Sequence, residues 1–485
     1  MCSKEVTNNS LFICIKGMEQ DGHQYIQEAA ERGAAACLVE EAFWKKSASV
    51  HGNLKQAEKK TSAYGELKLL EQMTIVSVQN TREAAAWAAA AFYRYPSKEL
   101  KVIGITGTKG KTSTTFMIRD ILEAAGYKTG LLGTIDYEIG EEKKRAERTT
   151  PEAIDIQRYL RKMADSGCRF AVMEVSSQGL KLHRSDGILF DVGVFTNLGR
   201  DHIGPKEHKD MAEYAHYKSL LFQKCCFGIG NIDDPYYREI FKDASCQVCT
   251  YSCSQKADVQ ASDIMLVNRN GQLGTFFKVN GEEYAVSAPG EFSVYNAVAA
   301  ITVCRHYGID QEIIRKALKT IRVPGRVEVI DNDRGYLLLI DYAHNAMSLK
   351  SILKTLKEYN PHRLVCVFGC GGNRSKERRF EMGEVSGKLA DFTIITSDNP
   401  RFEDPEAIIE DIKTGISKTD GKYISITDRK EAIKYAIKNA EDGDIVVLAG
   451  KGHEDYQEIK GVKYPMDERV LISEVVKELK AEGWR

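Results

Sequence analysis

The spacing of apolar positions changes several times along the chain and divides it into three blocks. In residues 1–97 the apolar runs are short and mixed. Leu11–Lys16, Ala36–Val39 and Met73–Val78 read as strands, and Gly22–Gly33 has helical spacing. The Ala-rich run Ala84–Phe92, which carries Trp87 and is preceded by Thr81 as cap, reads as a buried helix. Tyr95-Pro96-Ser97 ends it and supplies a linker.

The second block is sharper. Lys101–Thr106 reads as a strand, a glycine loop follows, and a helix opens at Thr112. Met117, Ile118, Ile121, Leu122 and Ala125 recur there at helical spacing until Gly126 stops it. Thr129–Ile135 is the next strand. Strand, loop, helix and strand make a βαβ unit, which requires a parallel sheet and a right-handed crossover. Phe170–Val175 and Val192–Thr196 extend that sheet.

Val323-Pro324-Gly325-Arg326 marks a hinge. Beyond it, strands at Tyr336–Asp341, Arg363–Gly369, Phe392–Ser397 and Asp444–Ala449 alternate with helices at Ala346–Tyr359 and Arg378–Leu389. The predicted class is α/β in three domains: 1–97, a central P-loop parallel-sheet domain over 98–322, and a C-terminal Rossmann-like, doubly wound domain over 323–485.

Composition narrows the function. At 485 residues the chain exceeds one ordinary core, and 43% hydrophobic with 28% charged residues is the balance of a globular protein. Sixty-eight Lys and Arg against 69 Asp and Glu leave no basic field for a nucleic-acid backbone. No apolar run is long enough to cross a bilayer, and the first residues carry no signal-type segment, so a cytoplasmic location is expected. The 12 cysteines follow no framework spacing and are expected to be reduced. Cys225, Cys226, Cys246, Cys249 and Cys253 could suggest zinc. The adjacent pair is poor tetrahedral geometry, however, and Cys246–Tyr251 reads better as a strand.

The chemistry begins at Thr106-Gly-Thr-Lys-Gly-Lys-Thr-Ser113. A glycine loop between strand and helix aims backbone N–H groups at phosphate, and the helix N-terminus adds partial positive charge. Gly107, Thr108, Lys109, Gly110, Lys111, Thr112 and Ser113 are therefore the expected ATP cradle. Lys111 reaches the β- and γ-phosphates and the Thr112 hydroxyl ligates Mg²⁺. Counted back from Gly110, the first glycine of the usual pattern falls at Ile105, where this chain has Gly104 and Gly107 instead.

Other polar groups follow strands and so reach the same rim. Glu174, in EVSSQ, is placed to complete a Mg²⁺ shell with Thr112. His202, in NLGRDH, is a candidate metal ligand, and Lys218, mid-helix, by itself reads as an ordinary surface lysine. The third block adds Asp341–Asn345, a Gly369–Lys376 loop with Arg378 and Arg379, Asp398-Asn-Pro-Arg401, and Gly450–Glu454. Charged loops gathered on one rim suit a zwitterionic substrate.

Together TGTKGKT, TTPE (Thr149–Glu152), EVSSQGL, FTNLGRDH, VPGR, DYAH, DNPR and GKGHE resemble the Mur ligase family over essentially the whole chain. The resemblance implies an ATP-dependent amide ligase of peptidoglycan precursor synthesis that acts through an acyl phosphate. Its acceptor is UDP-MurNAc-L-Ala-D-Glu and its amino acid meso-diaminopimelate, with Lys111, Glu174, His202 and Lys218 as the catalytic group. It implies two Mg²⁺ sites built from Thr112, Glu174, His202 and a carbamate on Lys218. It also implies closure of Asn296, Arg326 and Asp341 over the nucleotide. The nucleotide-sugar peptide falls to Ser3, Gln20, Thr149, Thr150, Ser176 and Arg184. The amino acid falls to Arg374, Asp398, Asn399, Pro400, Arg401, Gly450 and Glu454, with Arg401 on the distal carboxylate. A monomer is expected.

Three departures from the family pattern bear on the nucleotide-sugar end. Cys2-Ser-Lys-Glu-Val stands where Asp-Ser-Arg is usual, Asn8-Asn9 replaces Pro-Gly, and Asp201–Lys218 is longer than in many relatives. A lysine-adding or folylpolyglutamate-type ligase stays open, as does a nucleotide-binding regulator without ligase activity.

Overall fold

The parallel pairings expected of the second and third blocks occur in their sheets, and the N-terminal block, read only as short mixed elements, adds a third. The computed structural model describes residues 3–17, 20–45, 73–204, 207–269 and 272–484. Near the N-terminus, Ser10–Ile13, Ala34–Glu40 and Thr74–Val78 form a three-stranded parallel sheet. The helical reading of Gly22–Gly33 resolves into a 3-10 turn, Gly22–Tyr25, and a short α-helix, Ile26–Glu31.

The Ala-rich helix runs Thr81–Phe92 and differs from expectation in two ways. Its cap is Asn80, whose side chain accepts the N–H groups of Arg82 and Glu83 at 3.0 and 3.3 Å. It is also one-sided. Ala85, Ala86, Ala89 and Ala90 are buried, whereas Trp87 and Phe92 stand out in solvent at 52% and 79% exposure. Small alanines pack the inner face closely and leave the bulky rings no room there.

The central sheet has eleven strands. From one edge it runs Glu282–Val286, Gln272–Val279, Val259–Arg269, Gln247–Ser252, Cys225–Asn231, Phe190–Phe195, Lys101–Thr106, Phe170–Glu174, Thr129–Leu132, Asp136–Ile139 and Glu142–Arg145. The middle strands are parallel, and antiparallel hairpins extend both edges. The sequence reading missed those hairpins, and the strand expected at Thr129–Ile135 stops at Leu132. Lys101–Thr106 lies between Phe170–Glu174 and Phe190–Phe195, so the chain reverses its winding direction at the loop after Thr106. Such a switch point opens a crevice at the carboxyl ends of the strands. The helices Lys111–Ala124 and Glu291–His306 cover one face in a core with Ile103, Ile105, Val192 and Val194.

The C-terminal sheet runs Glu328–Ile330, Leu337–Asp341, Ile445–Ala449, Leu364–Phe368, Phe392–Ile395 and Tyr423–Ser425. It is parallel except at its first pair. A separate hairpin, Tyr456–Ile459 with Val462–Pro465, lies beside it. The cysteine segment forms the strand Gln247–Ser252, and among the described residues no His, Cys, Asp and Glu group could hold a metal by itself. Nor is any described helix long and apolar enough to cross a membrane.

Candidate functional site

A cavity of about 1560 Å³ separates the carboxyl ends of the central and C-terminal sheets, and most of the expected site residues line it. On the central side the phosphate loop is held from below. Thr108 N–H donates to the Asn197 carbonyl at 2.8 Å and Lys109 N–H to the Asn197 side chain at 3.0 Å. The Thr196 hydroxyl donates to the Lys109 carbonyl at 2.7 Å. Gly107 has φ 153°, and a Cβ there would lie 1.9 Å from the Thr196 hydroxyl. Gly104 has a different job: it sits inside the strand, where a Cβ would meet the Phe190 ring at 2.8 Å. Of the two glycines in the imperfect motif, one shapes the loop and the other makes room for packing.

The loop helix starts at Lys111, one residue before the expected Thr112, with Gly110 as its cap at φ 83°. Asn296 lies over that glycine, 2.3 Å from where a Cβ would be. The Lys111 ammonium donates to the carbonyls of Gly107 and Thr108 at 2.8 and 3.0 Å, and burial pulls its pKa down.

Glu174 is the hub of the rim at 1% exposure. The Thr112 hydroxyl reaches its two oxygens at 3.0 and 3.1 Å. Thr134 donates to it from backbone N–H at 2.7 Å and from hydroxyl at 3.1 Å. Sequence reasoning missed Thr134, which falls inside the strand expected at Thr129–Ile135; because the strand stops at Leu132, Thr134 reaches the rim loop. The Thr134 hydroxyl also meets that of Thr149 at 3.0 Å. Converging carboxylate and hydroxyl oxygens are the donor set that a hard divalent cation takes.

Lys218 is no ordinary surface lysine. It is buried, its ammonium donates to the Gly107 carbonyl at 2.7 Å, and burial beside Lys111 holds its pKa well below the ordinary lysine value. Its ammonium lies 4.6 Å from the centre of the Tyr214 ring, and the His202 ring lies 6.1 Å from the same ring. His202 lines the cavity with its Nδ1 on Glu207 at 2.8 Å.

On the opposite wall Asp341 ends its strand. Its carboxylate accepts Val327 N–H at 2.9 Å, and burial raises its pKa against the pull of Arg326. Arg326 lies over the Tyr342 ring at 4.8 Å. Arg374, Asp398, Asn399, Arg401, Gly450 and Glu454 meet in the far part of the cavity. Their organiser is a residue sequence reasoning passed over. Lys451, fully buried, donates to Asn399 Oδ1 at 2.9 Å and to Glu454 Oε2 at 2.8 Å. Burial alone would raise the Glu454 pKa, but Lys451 and Asn399 bring it below the usual carboxylate value. The Pro400 carbonyl packs where a side chain on Gly372 would be, 1.9 Å from its Cβ position. Beneath these loops the buried Arg429, paired with Glu468 at 2.8 Å, donates to the carbonyls of Ser397 and Ala449 at 3.1 Å each. One guanidinium thus ties the two strand ends from which the loops spring.

The residues expected to hold the nucleotide-sugar peptide fall into two groups. Thr149 lines the cavity. Beside it the Thr150 hydroxyl donates to the Glu174 carbonyl at 2.9 Å and meets Ser176 at 3.1 Å, while Arg184 donates to the Thr150 carbonyl at 3.2 Å. Ser3 and Gln20 do not line the cavity; both belong to the N-terminal unit, Ser3 buried and Gln20 exposed. Cys2 of the departing motif and Pro205 and Lys206 of the longer Asp201–Lys218 stretch lie outside the described residues.

Three family models match the chain: Mur ligase family, catalytic domain, over residues 1–93; Mur ligase middle domain over 105–304; and Mur ligase, glutamate ligase domain, over 325–452. The UDP-N-acetylmuramoyl-L-alanyl-D-glutamate–2,6-diaminopimelate ligase of Caldanaerobacter subterraneus subsp. tengcongensis is 42% identical over 481 residues, 98% of this chain and 94% of that protein. The protein of the same name from Clostridium tetani is 39% identical over 480 residues, with the same coverage. A solved structure of a ligase so named superposes with a TM-score of 0.67 at 30% identity, covering 99% of this chain and 94% of that one. The MurF ligase of Thermotoga maritima in complex with ADP shares the fold, with a TM-score of 0.60 at 18% identity over 99% of this chain and 97% of that one.

Proposed function

The chain belongs to the Mur ligase family, and from that premise we propose that it joins meso-diaminopimelate to UDP-MurNAc-L-Ala-D-Glu at the expense of ATP. ATP phosphorylates the D-Glu side-chain carboxylate. The amine of diaminopimelate attacks the acyl phosphate, phosphate leaves, and an amide remains. One observation carries this reading: the phosphate loop and the DNPR–GKGHE pocket are opposite walls of a single cavity, so a phosphorylated acid and an incoming amine can meet there.

In this reading the chain works as three domains, 1–97, 98–322 and 323–485. The phosphate loop from Gly107 to Ser113 holds ATP, and Lys111 leaves its own loop carbonyls for the phosphoryl oxygens. Asn296, Arg326 and Asp341 close over the nucleotide. Thr112 and Glu174 would hold one Mg²⁺, and His202 with a carbamate on Lys218 a second. Bound there, these ions would neutralise charge developing on the phosphoryl oxygens. The low pKa of Lys218 supports the carbamate, because only a neutral amine adds CO₂. Thr149, Thr150, Ser176 and Arg184 take the peptide end of the acceptor, with Ser3 and Gln20 toward the nucleotide sugar. Arg401 takes the distal carboxylate of the amino acid, with Arg374, Asp398, Asn399, Pro400, Gly450 and Glu454 completing the pocket. The work belongs to the cytoplasm, where ATP and the nucleotide sugar are available, and the enzyme acts as a monomer.

The test is phosphate release from ATP and UDP-MurNAc-L-Ala-D-Glu with meso-diaminopimelate or L-lysine. Strong preference for diaminopimelate is expected. Equal use of lysine refutes the role given to Arg401. Turnover with neither refutes the substrate assignment.

A further inference from the structure

Arg401 has an unusual setting. It is a non-glycine residue with a left-handed backbone, φ 53°, which an arginine holds only when its surroundings impose it. The hairpin strand Tyr456–Ile459 imposes it here. Arg401 N–H donates to the Glu458 carbonyl at 2.9 Å, and Lys460 N–H donates back to the Arg401 carbonyl at 2.6 Å. The same strand reaches the neighbouring residues. The Gln457 side chain donates to the Asp398 carbonyl at 2.7 Å, and Glu458 N–H donates to Asn399 Oδ1 at 2.9 Å. Asp398 to Arg401 is thus read almost residue by residue against one strand that lies outside the cavity wall.

The Glu458 side chain acts on the guanidinium itself. Its carboxylate accepts the Arg401 Nε–H at 3.1 Å, and on the other side Nη1 donates to the Gly372 carbonyl at 2.7 Å. A guanidinium has five N–H donors in a rigid fork. With Nε and one Nη1 hydrogen engaged, three donors remain, and one on each Nη makes the end-on pair that grips a carboxylate with two parallel bonds.

We infer that Glu458 is a specificity-determining positioning residue: by holding Nε it presents the Nη edge of Arg401 to the distal carboxylate of the amino-acid substrate. The inference rests on the diaminopimelate reading above. Glu458 does not touch the substrate. It restricts an otherwise mobile arginine to the rotamer that recognises a second carboxylate, lowering the entropic cost of binding. Because the backbone contacts of the hairpin survive replacement of the side chain, and Glu458 belongs to no buried core, the fold tolerates the substitution.

The experiment measures kcat and KM for meso-diaminopimelate, L-lysine and ATP by phosphate release, in wild type, Glu458→Ala and Glu458→Gln. In Glu458→Ala the KM for diaminopimelate is expected to rise about tenfold, the loss typical of one charge-assisted hydrogen bond. The kcat and the KM for ATP stay near wild type, and the preference for diaminopimelate over lysine falls by the same factor. Glu458→Gln, whose amide oxygen still accepts Nε–H, recovers most of the loss. An unchanged or lowered KM for diaminopimelate in Glu458→Ala overturns the inference, since Glu458 would then only screen Arg401. Equal losses in kcat and in the KM for ATP, without rescue by glutamine, also overturn it by marking a structural role. If wild type does not use diaminopimelate, the substrate reading itself fails and takes this inference with it. If wild type does and the variants match it, only the inference fails.

Discussion

Replacing Glu174 by glutamine keeps the shape of the hub and removes its charge, which separates chemistry from architecture. The carboxylate receives Thr134 N–H at 2.7 Å on Oε1 and the Thr134 hydroxyl at 3.1 Å on Oε2, with the Thr112 hydroxyl near both at 3.0 and 3.1 Å. A glutamine whose oxygen occupies the Oε1 position keeps the Thr134 N–H and Thr112 hydroxyl bonds. Its NH₂ then faces the Thr134 hydroxyl, which can accept and pass its own proton to Thr149, 3.0 Å away. Every buried polar group keeps a partner, so the stability cost is about 1 kcal/mol or less. Alanine at the same position leaves the Thr134 N–H without its partner and costs about 1–3 kcal/mol. Activity runs the other way. Thr112 and Glu174 would hold the Mg²⁺ that offsets phosphoryl charge; with the anionic ligand replaced by a neutral amide that cation would be held far more weakly, and kcat for phosphate release falls at least about 100-fold, about 2.7 kcal/mol in barrier. The assay is amino-acid-dependent phosphate release over a Mg²⁺ titration, with thermal unfolding of both variants alongside. A Glu174→Gln enzyme with more than about a third of wild-type kcat at saturating Mg²⁺ refutes the assignment. So does a glutamine variant as unstable as the alanine one.

Two further outcomes are expected. Wild type transferred to CO₂-depleted buffer loses activity and recovers it on adding bicarbonate, while Lys218→Met is inactive in both; activity indifferent to CO₂ removes the carbamate from Lys218. Burial, helped by Arg326 and Arg145, drives the His453 pKa down to about 3 from its ordinary 6.5. The unfolded chain therefore binds the extra proton in the window between those values, and the stability present above pH 6.5 is lost as pH falls. At pH 5.5 the loss is about 1.4 kcal/mol. Chemical denaturation should show it in wild type and not in His453→Gln, and identical pH profiles would refute the burial of a neutral imidazole.

Much of the architecture is local and was readable as such. A strand of Val102, Ile103 and Ile105, a loop punctuated by Gly107 and Gly110, and a helix carrying Ile118, Ile121 and Leu122 on its inner side announce a phosphate loop, because period and turn chemistry act within a few residues. The same logic placed Glu174, Asp341 and Gly450 at strand ends. It stopped at the sheet edges, where the hairpins Asp136–Arg145 and Val259–Val286 have weak alternation and pair with neighbours that only the fold supplies.

What the sequence by itself determined is therefore which segments carry polar groups to the carboxyl rims. Which groups meet on those rims was decided by the tertiary structure. Thr134 and Glu174 are joined across 40 positions, Lys218 and the Gly107 carbonyl across 111, and Arg401 and Glu458 across 57. No periodicity spans such separations. Strand order sets which loops become neighbours, and burial then changes what a residue is. It makes Lys218 a low-pKa amine where a helix pattern shows a surface lysine, and it turns Glu458, one charge on a short hairpin, into the partner that aims Arg401.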